Sequence, residues 1–238
     1  MRAIVIHARS LTEREKHIRQ QLKDWSGDVT FMSDVDKDEI TEDILAKYFK
    51  PACELYCKSG QASCAVKHLM ALQYIIDNEL EGALVLEDDI VLHTNFVSNF
   101  MYTMEEYRNR YVDKPVIISY EDSSLQFVPH SRRIRGQWLY EGPTNRVRFN
   151  GALYINNLAA RVILAEVMEN KCDRAIDHFY VKLHKMGLLT ILWCEPALAT
   201  QGSFNGKFLS SQSKNLVLEG CVGKLNMFTS EYSIGSDK

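Results

Sequence analysis

The chain has 238 residues, of which 46% are hydrophobic and 25% are charged, and its formal net charge is −3. This length supports one sizeable core, usually a single α/β domain. Basic residues are not in excess, so the composition does not favour binding to nucleic acid. No apolar run approaches the roughly 20 residues of a membrane span. The first residues turn polar too early for a signal peptide. The six cysteines lack a paired Cys-x-x-Cys spacing, which favours reduced thiols and a cytoplasmic location.

The first residues are predicted to form a strand, a turn and a helix. Ala3 to Ile6 is a short apolar run, which is typical of a buried strand. Ser10 and Glu13 have the spacing of a capping box, so a helix is expected to begin there. The apolar residues at helical spacing that follow are Ile18, Leu22 and Trp25. Two arginines, Arg9 and Arg14, flank this turn. They could bind a ligand there, and they are explained equally well as charges on the helix surface.

Residues 28–36 are predicted to form a second strand that ends in acidic residues. Asp34 and Asp36 follow its apolar part. Their side chains can accept hydrogen bonds from a ligand. Turn formation explains the two aspartates equally well, because aspartate side chains stabilise turns. Residues 37–59 are expected to be a variable, partly helical segment that Pro51 interrupts.

An acidic motif follows a fully apolar strand. Residues 69–80 carry apolar side chains at helical spacing, and Ala83 to Leu86 is an unbroken apolar run, as in a strand buried on both faces. Glu87, Asp88 and Asp89 come next. Ligands bind beyond the carboxyl ends of parallel strands, and adjacent carboxylates repel one another unless a cation or strong donors neutralise them. Mg²⁺ or Mn²⁺ suits such oxygens, and a solvated acidic turn is the alternative.

A long irregular segment at residues 120–148 follows a predicted helix at 96–110 and a predicted core strand at 115–119. The segment lacks apolar periodicity and contains glycine and proline. A loop of this length in a compact domain is usually functional or mobile. Its arginines are suited to a diphosphate, with a solvated flap as the alternative. They are Arg132, Arg133, Arg135, Arg146 and Arg148.

The last predicted elements carry further candidates for ligand binding. A strand near 148–155 contains Gly151, where the missing side chain lets a ligand approach the backbone. A helix follows, and a second helix opens near Asp173 and Asp177. Asp173 is the better helix cap, which leaves Asp177 for another role. Gly202 suggests a loop that can approach a phosphate group.

These motifs, in this order, resemble glycosyltransferase family 25, which includes lipooligosaccharide glycosyltransferases and collagen galactosyltransferases. The resemblance covers roughly residues 1–212. Its motifs are Arg14 near the start of the first helix, Cys64 and His68, Val85 to Asp89, Gly151 to Tyr154, Asp177, and Gln201 to Ser203. The chain departs from the family pattern at Ser63, where the family usually has Gly, and at Lys67, where it usually has Ser.

The resemblance implies an α/β protein with a GT-A fold, in which a mainly parallel sheet lies between helices and a nucleotide sugar binds at the strand ends. One catalytic domain is expected at residues 1–227, with a flexible loop at 120–148 and a mobile tail at 228–238. The implied reaction is inverting transfer of galactose or glucose from a UDP-sugar. The acceptor is a hydroxyl of a glycan, a lipooligosaccharide, or hydroxylysine in a collagen-like chain.

The same resemblance assigns the site residues. Asp89 and Asp88 are the expected ligands of Mn²⁺ or Mg²⁺, with His178 and His184 as further candidates. Asp177 is the expected base for the hydroxyl proton, with helix capping as the alternative. The residues expected to bind the donor are Ile6, Arg9, Arg14, Asp34, Asp36, His68, Glu87, Asp88, Gly151, Gln201, Gly202 and Ser203.

Two other functions stay open at this point. One is a metal-dependent nucleotidyltransferase or phosphohydrolase, which would use the same acidic strand end on a phosphate bond. The other is a non-catalytic nucleotide-sugar-binding module, which the departures at Ser63 and Lys67 keep in consideration.

Overall fold

The computed structural model describes residues 1–53 and 59–209. The predicted tail at 228–238 and the end of the predicted domain lie outside these residues. The described strands are β1 (Arg2–Ile6), β2 (Val29–Met32), β3 (Gly82–Glu87), β4 (Ile90–Leu92), β5 (Val116–Ser119), β6 (Leu139–Glu141), β7 (Ala152–Asn156), β8 (Thr190–Cys194) and β9 (Ala199–Gln201). The described helices are α1 (Thr12–Gln21), α2 (Glu42–Tyr48), α3 (Ser59–Asp77), α4 (Phe96–Arg110), α5 (Asn157–Asn170) and α6 (Ile176–Lys185). Among them, none combines the length and apolar character needed to cross a membrane.

Seven strands form the central sheet in the order β2-β1-β3-β7-β5-β8-β6. Strands β1, β2, β3, β5 and β8 run in one direction, and β7 and β6 run in the other. The sheet is therefore mainly parallel. This architecture confirms the predicted fold class, an α/β GT-A fold with a mainly parallel sheet between helices. The reversed direction of β7 was not predicted, because an apolar run alone does not reveal the direction of a strand.

Helices cover both faces of the sheet because the strands direct alternate side chains into two apolar layers. On one face, Ile4 and Val85 belong to a core completed by residues of α3, α5 and α6, including Leu69. On the other face, Val5 belongs to a core completed by α1 and α4, including Phe100. Because both faces are buried at the centre of the sheet, the central strands contain continuous apolar runs, such as residues 3–6 of β1 and residues 83–86 of β3. Their functional polar residues lie at the strand ends.

The first helix begins later than the sequence predicts. The N–H of Leu11 donates to the carbonyl of Ala8 at 2.8 Å, so the chain makes an additional turn before the helix. The helix then begins at Thr12, and no side chain caps it. The predicted capping box at Ser10 and Glu13 is therefore wrong, because the spacing of two residues does not determine where the backbone becomes helical.

A second, two-stranded sheet holds the acidic motif in place. Asp88 and Asp89 form the turn between β3 and β4, and β4 pairs antiparallel with β9. Ile90 lies opposite Gln201 in this pairing. The pairing carries the segment that begins at Gln201 onto the acidic turn, although the two segments are far apart in the sequence.

The segment at residues 120–148 is not irregular throughout. Residues Leu139–Glu141 form β6, the edge strand of the central sheet, which is antiparallel to β8. Residues His130–Arg132 form a short 3-10 turn. A strand of three residues is too short to show an apolar period in the sequence. The predicted flexible loop therefore contains a strand anchored in the sheet, and its mobility stays a prediction.

Candidate active site

The acidic motif lies at the edge of the sheet where the parallel strands β1 and β3 end. Ile6, the last residue of β1, is paired in register with Glu87, the last residue of β3. His7 and Asp88 therefore follow neighbouring strands side by side. These four residues line a cavity of about 70 Å³ together with residues of α1 and α3. Open α/β sheets bind their ligands at this position.

Two basic side chains hold Asp88. Arg14 Nη1 donates a hydrogen bond of 3.1 Å to Asp88 Oδ1, and His7 Nδ1 lies 2.8 Å from Asp88 Oδ2. All three side chains are buried, so solvent screens these contacts little. Arg14 Nη2 also donates to the carbonyl of Leu209 at 2.7 Å. Arg14 is therefore part of the site and is not a charge on the helix surface.

Asp89 is the less neutralised of the two aspartates. Its Oδ2 accepts a hydrogen bond of 3.2 Å from the N–H of Ser203 and lies 3.7 Å from Arg14 Nη1. Burial, with a contribution from the charge of Glu87, raises the pKa of Asp89 to about 6. Its Oδ1 is buried and has no donor within the described part of the chain. A buried carboxylate oxygen without a donor fits a hard cation such as Mg²⁺ or Mn²⁺.

Glu87 uses its two oxygens in different ways. Oε2 accepts a hydrogen bond of 2.8 Å from Gln201 Nε2. Oε1 lies 3.4 Å from His68 Nε2 and 3.6 Å from Cys64 Sγ. His68 is fully buried and Cys64 is half-buried. The fold thus brings together three predicted donor-binding residues, His68, Glu87 and Gln201.

Two glycines make room for this arrangement. A Cβ atom at Gly151 would lie 2.6 Å from Gln201 Cγ, and one at Gly202 would lie 2.7 Å from the carbonyl oxygen of Asp89. Atoms cannot pack this closely, so a side chain at either position would displace Gln201 or the acidic turn. The observed close approach is to protein groups. Contact of these glycines with a donor stays a prediction.

The predicted binding residues near β2 form a separate cluster. Asp36 accepts a hydrogen bond of 3.2 Å from Arg9 Nε and forms an ion pair with the buried Lys67. Lys67 Nζ also donates to the carbonyl of His7 at 2.6 Å. Lys67, where the chain departs from the family pattern, therefore ties this cluster to the end of β1. Asp34, two residues after the end of β2, is exposed, and its role in binding stays a prediction.

Asp177 lies in the first turn of α6, within electrostatic influence of Glu87. Burial raises the pKa of Asp177, and the charge of Glu87 raises it further. Asp177 Oδ1 accepts a hydrogen bond of 2.7 Å from the N–H of His178. The carboxylate also lines a small cavity with Asn150 and Trp193. Asp177 thus lies at the start of α6 beside its own small cavity, and its catalytic role stays a prediction.

The predicted cap at Asp173 is wrong. The N-cap residue of α6 is Ala175, and no side chain bonds there. Asp173 instead lies 2.9 Å from Arg174 Nε and 3.0 Å from Lys182 Nζ. These cations hold the pKa of Asp173 at about 2. The carboxylate of Asp173 therefore pairs with these cations and does not accept a hydrogen bond from the backbone at the start of α6. Asp173 stays charged across the physiological pH range.

The structure excludes one of the two histidines of α6 as a metal ligand, and the role of the other, His178, stays a prediction. His184 is buried, with Nε2 2.9 Å from the carbonyl of Gly142 and Nδ1 3.2 Å from that of Leu189. Both ring nitrogens already have partners, so the prediction of His184 as a ligand is wrong. His178 is exposed.

The arginines of segment 120–148 divide into two groups. Arg148 is buried and forms an ion pair with the buried Glu195, and Arg133 lies 3.2 Å from the same carboxylate. Arg148 Nη1 also donates to the carbonyl of Cys194 at 3.1 Å. These two arginines hold the segment on β8. The remaining three are exposed, namely Arg132, Arg135 and Arg146.

Sequence reasoning missed His7 at this edge, and it named Glu121 only as an alternative proton acceptor in the loop without predicting its burial. His7 follows the apolar run of β1 directly, so the strand-end rule that selected Glu87 would have selected it too. Glu121 is fully buried near the end of β5, where its Oε1 accepts a hydrogen bond of 3.0 Å from the N–H of Gly151. Its burial follows from the insertion of β7 next to β5, for which the sequence gives no signal.

Comparison with known proteins supports one family. The family model of glycosyltransferase family 25 (LPS biosynthesis protein) matches residues 1–141, which is more than half of the chain. The comparison with curated proteins finds no match.

Two solved structures show weaker similarity. Mouse xyloside xylosyltransferase 1, in its apo form, is 15% identical over 79% of this chain and 70% of its own, with a TM-score of 0.36. The inositol-1-phosphate CTP transferase from T. maritima is 10% identical over 92% of this chain and 78% of its own, also with a TM-score of 0.36. The family match covers the strand-end site around Glu87, Asp88 and Asp89, and the chain belongs to glycosyltransferase family 25.

Proposed function

We propose that this glycosyltransferase moves a hexose, galactose or glucose, from a UDP-sugar to a hydroxyl group with inversion at the anomeric carbon. The supporting observation is that Glu87, Asp88 and Asp89 lie together at the carboxyl edge of the sheet in a family 25 chain, and that the charge of Glu87 also acts on Asp177. The proposed acceptors are a glycan, a lipooligosaccharide, or hydroxylysine in a collagen-like chain. The proposed location is the cytoplasm.

The charges at the strand end favour a cation-dependent donor site. Among the residues that the structure describes, Glu87, Asp88 and Asp89 outnumber the one arginine in contact with them, Arg14. A diphosphate would be repelled by this excess of carboxylates unless a cation joined them. Asp88 and Asp89, the latter through Oδ1, are the proposed ligands of Mn²⁺ or Mg²⁺. A bound ion of this kind stabilises the negative charge that develops on the departing UDP.

Arg14 is the proposed contact for the donor diphosphate on the side of α1. Its guanidinium is buried beside the acidic turn, and Phe208 covers it with a ring centroid 5.4 Å away. Arginine binds phosphate oxygens through paired N–H donors. Lys67, in contrast, is occupied by Asp36 and the carbonyl of His7. We therefore assign Lys67 to holding the end of β1 and not to the donor.

Asp177 is the proposed acceptor of the hydroxyl proton. A general base works best with a pKa near the working pH. Burial raises the pKa of Asp177, whereas the cations beside Asp173 hold the pKa of that carboxyl at about 2. Of the two acids at the start of α6, Asp177 is thus better suited to take up a proton. A cavity of about 20 Å³, lined by Asn150 and Trp193, lies beside it and has room for about one water-sized group.

A screen of UDP release tests the proposed function. The purified chain is incubated with individual UDP-sugars, with and without Mn²⁺, in the presence of glycan and hydroxylysine-peptide acceptors. Free UDP together with a glycosylated acceptor is the expected product pair, and it should require the divalent ion. Pyrophosphate or a sugar phosphate would instead indicate the nucleotidyltransferase or phosphohydrolase alternative. Mn²⁺-dependent UDP binding without any turnover would indicate a binding module.

A further inference from the structure

Three side chains with metal-ligating atoms meet beside the donor cleft. One possible ligand atom from each of Cys64, His68 and Glu87 lies within 4.8 Å of the other two. The sulfur lies 3.6 Å from Glu87 Oε1, and the histidine nitrogen lies 3.4 Å from the same oxygen. The nitrogen–oxygen distance is longer than that of an ordinary hydrogen bond, and the sulfur–oxygen distance is that of a weak S–H donor to a carboxylate.

These separations match those of a tetrahedral zinc site. With Zn–S of about 2.3 Å and Zn–O of about 2.0 Å, tetrahedral angles separate sulfur and oxygen by about 3.5 Å. The corresponding separation of nitrogen and oxygen is about 3.3 Å. The two observed separations from Glu87 Oε1 differ from these by about 0.1 Å, and the ligand atoms of Cys64 and His68 lie within 4.8 Å of each other. Tetrahedral binding would bring that sulfur and nitrogen to about 3.5 Å.

The fold fixes each of the three ligands. Cys64 and His68 are four residues apart on α3, so they lie on the same face of that helix. Glu87 ends β3, and Gln201 holds its other oxygen at 2.8 Å, which directs Oε1 at the pair on α3. Such partners typically orient the ligands of metal sites. The site therefore rests on a helix and a strand and not on a loop.

We infer that Cys64, His68 and Glu87 bind a zinc-class ion through three protein ligands. Thiolate and imidazole favour such ions, whereas Mg²⁺ and Mn²⁺ prefer the all-oxygen surroundings of Asp88 and Asp89. On binding, the Cys64 thiol loses its proton to solvent and the sulfur forms the bond to the ion.

The coordination geometry leaves one position of the ion open. Cys64 and Glu87 both line the cavity of about 70 Å³ at the strand ends. A fourth ligand, water or a ligand oxygen, can reach the ion from that cavity. Three protein ligands and one exchangeable position are the arrangement of reactive zinc sites, whereas purely structural sites use four protein ligands. An ion here would hold Glu87 Oε1 and so withdraw it from any other ligand in the cleft.

Cobalt substitution tests this inference without donor or acceptor, so its result is independent of the proposed transferase activity. Co²⁺ is titrated into the full chain under reducing conditions, and the absorption spectrum is recorded. A tetrahedral site with one thiolate is expected to give strong visible bands and a near-ultraviolet sulfur-to-cobalt band. Zn²⁺ at one equivalent should abolish both. A weak spectrum typical of octahedral cobalt, unchanged by Zn²⁺, would overturn the inference.

Variants assign the ligands. Cys64→Ser and Cys64→Ala should each lose the sulfur-to-cobalt band, and His68→Gln should weaken Co²⁺ binding at least roughly tenfold. Cys172→Ser is the matched control. Cys172 is buried elsewhere, donates to the carbonyl of Arg174, and has a pKa that burial raises to about 12. The control should keep the full spectrum. Loss of the band in Cys172→Ser but not in either Cys64 variant would also refute the assignment.

Discussion

Acidic residues follow two strands of the same sheet, β3 and β5, and their surroundings differ. After β3, Asp88 is buried against Arg14 and His7, so a cation accompanies the carboxylate. After β5, Glu121 is fully buried and accepts a hydrogen bond from a backbone N–H, that of Gly151. Burial raises the pKa of Glu121 well above its usual range and raises that of Asp122 to about 6. The position of an acid at a strand end thus does not determine its charge.

The comparison suggests a division of roles among the acids of the site. Asp88, held by two basic side chains, and Asp89, which has a buried oxygen without a donor among the described residues, suit binding of a metal and, through it, a diphosphate. Buried carboxylates whose pKa is raised suit proton transfer. Burial raises the pKa of Asp177, whereas neighbouring cations hold that of Asp173 at about 2. The four predictions below test this division, from the largest expected effect to the smallest.

Asp177→Asn should keep donor binding and lose transfer. The amide has nearly the same shape as the carboxylate but cannot take up the hydroxyl proton. Removal of a general base typically lowers the rate by about 10²–10⁴-fold. Single-turnover transfer and UDP affinity, measured on the same preparation, separate the two steps.

Asp173→Asn is the matched control for Asp177→Asn. It changes an acid of the same helix start that has cation partners and a pKa of about 2. Transfer by the control should stay within about twofold of the wild type, because a residue that binds no proton near neutrality cannot serve as the base. Near-normal turnover in Asp177→Asn, with an unchanged melting temperature, would remove the catalytic role from Asp177.

Arg148→Met should show how much the free energy of unfolding depends on the pairing of a buried acid, Glu195, with its cation. Arg148 and Glu195 are both buried and paired, and Arg148→Met leaves Glu195 with Arg133 as its remaining cation. Breaking a buried pair typically lowers the free energy of unfolding by about 3–5 kcal/mol. Urea denaturation measures the loss, with the exposed Arg146→Met as control. A change below about 1 kcal/mol would mean that solvent or Arg133 compensates for the missing charge.

Asp89→Asn should remove cation-dependent UDP binding while leaving the fold intact. The amide keeps an oxygen for the N–H of Ser203 but lacks the charge that attracts a divalent ion. UDP affinity in the presence of Mn²⁺ is expected to fall by at least about 10–100-fold, the range found when groups around metal ligands are changed. Calorimetric titration measures it, with the exposed Asp113→Asn as control. Equal Mn²⁺-dependent affinity in both variants would place the metal elsewhere.

Glu121→Gln should have the smallest effect, and one that depends on pH. Because the pKa of Glu121 is raised in the folded protein, the folded state binds the proton more tightly than the unfolded state does. The resulting stabilisation is present at low pH and is lost as the pH rises from about 4 through the raised pKa. The glutamine in Glu121→Gln cannot ionise, so the variant does not lose this stabilisation as the pH rises. It should be within about 1 kcal/mol of the wild type at pH 4 and relatively more stable at pH 8.

Urea unfolding across this pH range measures the effect of Glu121→Gln. Glu105→Gln, at an exposed site on α4, is the control and should follow the wild type at every pH. Parallel stability curves for the wild type and Glu121→Gln would show that Glu121 is ionised in the folded protein. The contrast between the acids after β3 and those after β5 would then disappear.

The sequence by itself determined most of the local elements and the strand end at which the acids Glu87, Asp88 and Asp89 lie. Apolar runs such as Ala83 to Leu86 identified core strands, because a strand buried on both faces must be apolar at every position. The acids directly after that run marked the strand end, and the ordered motifs from Arg14 to Ser203 indicated the family. Helix starts were less certain, as Ser10 and Asp173 show, because local spacing cannot reveal a competing turn or ion pair.

Only the tertiary structure decided which of these residues meet and which charges they keep. Arg14 reaches Asp88 because β1 pairs with β3, and Gln201 reaches Glu87 because β9 pairs with β4. Arg148, which its loop suggested for a diphosphate, is instead buried against Glu195. These contacts join segments far apart in the chain. Their effect on each ionisable group depends on burial and partner distance, two quantities that only the folded arrangement defines.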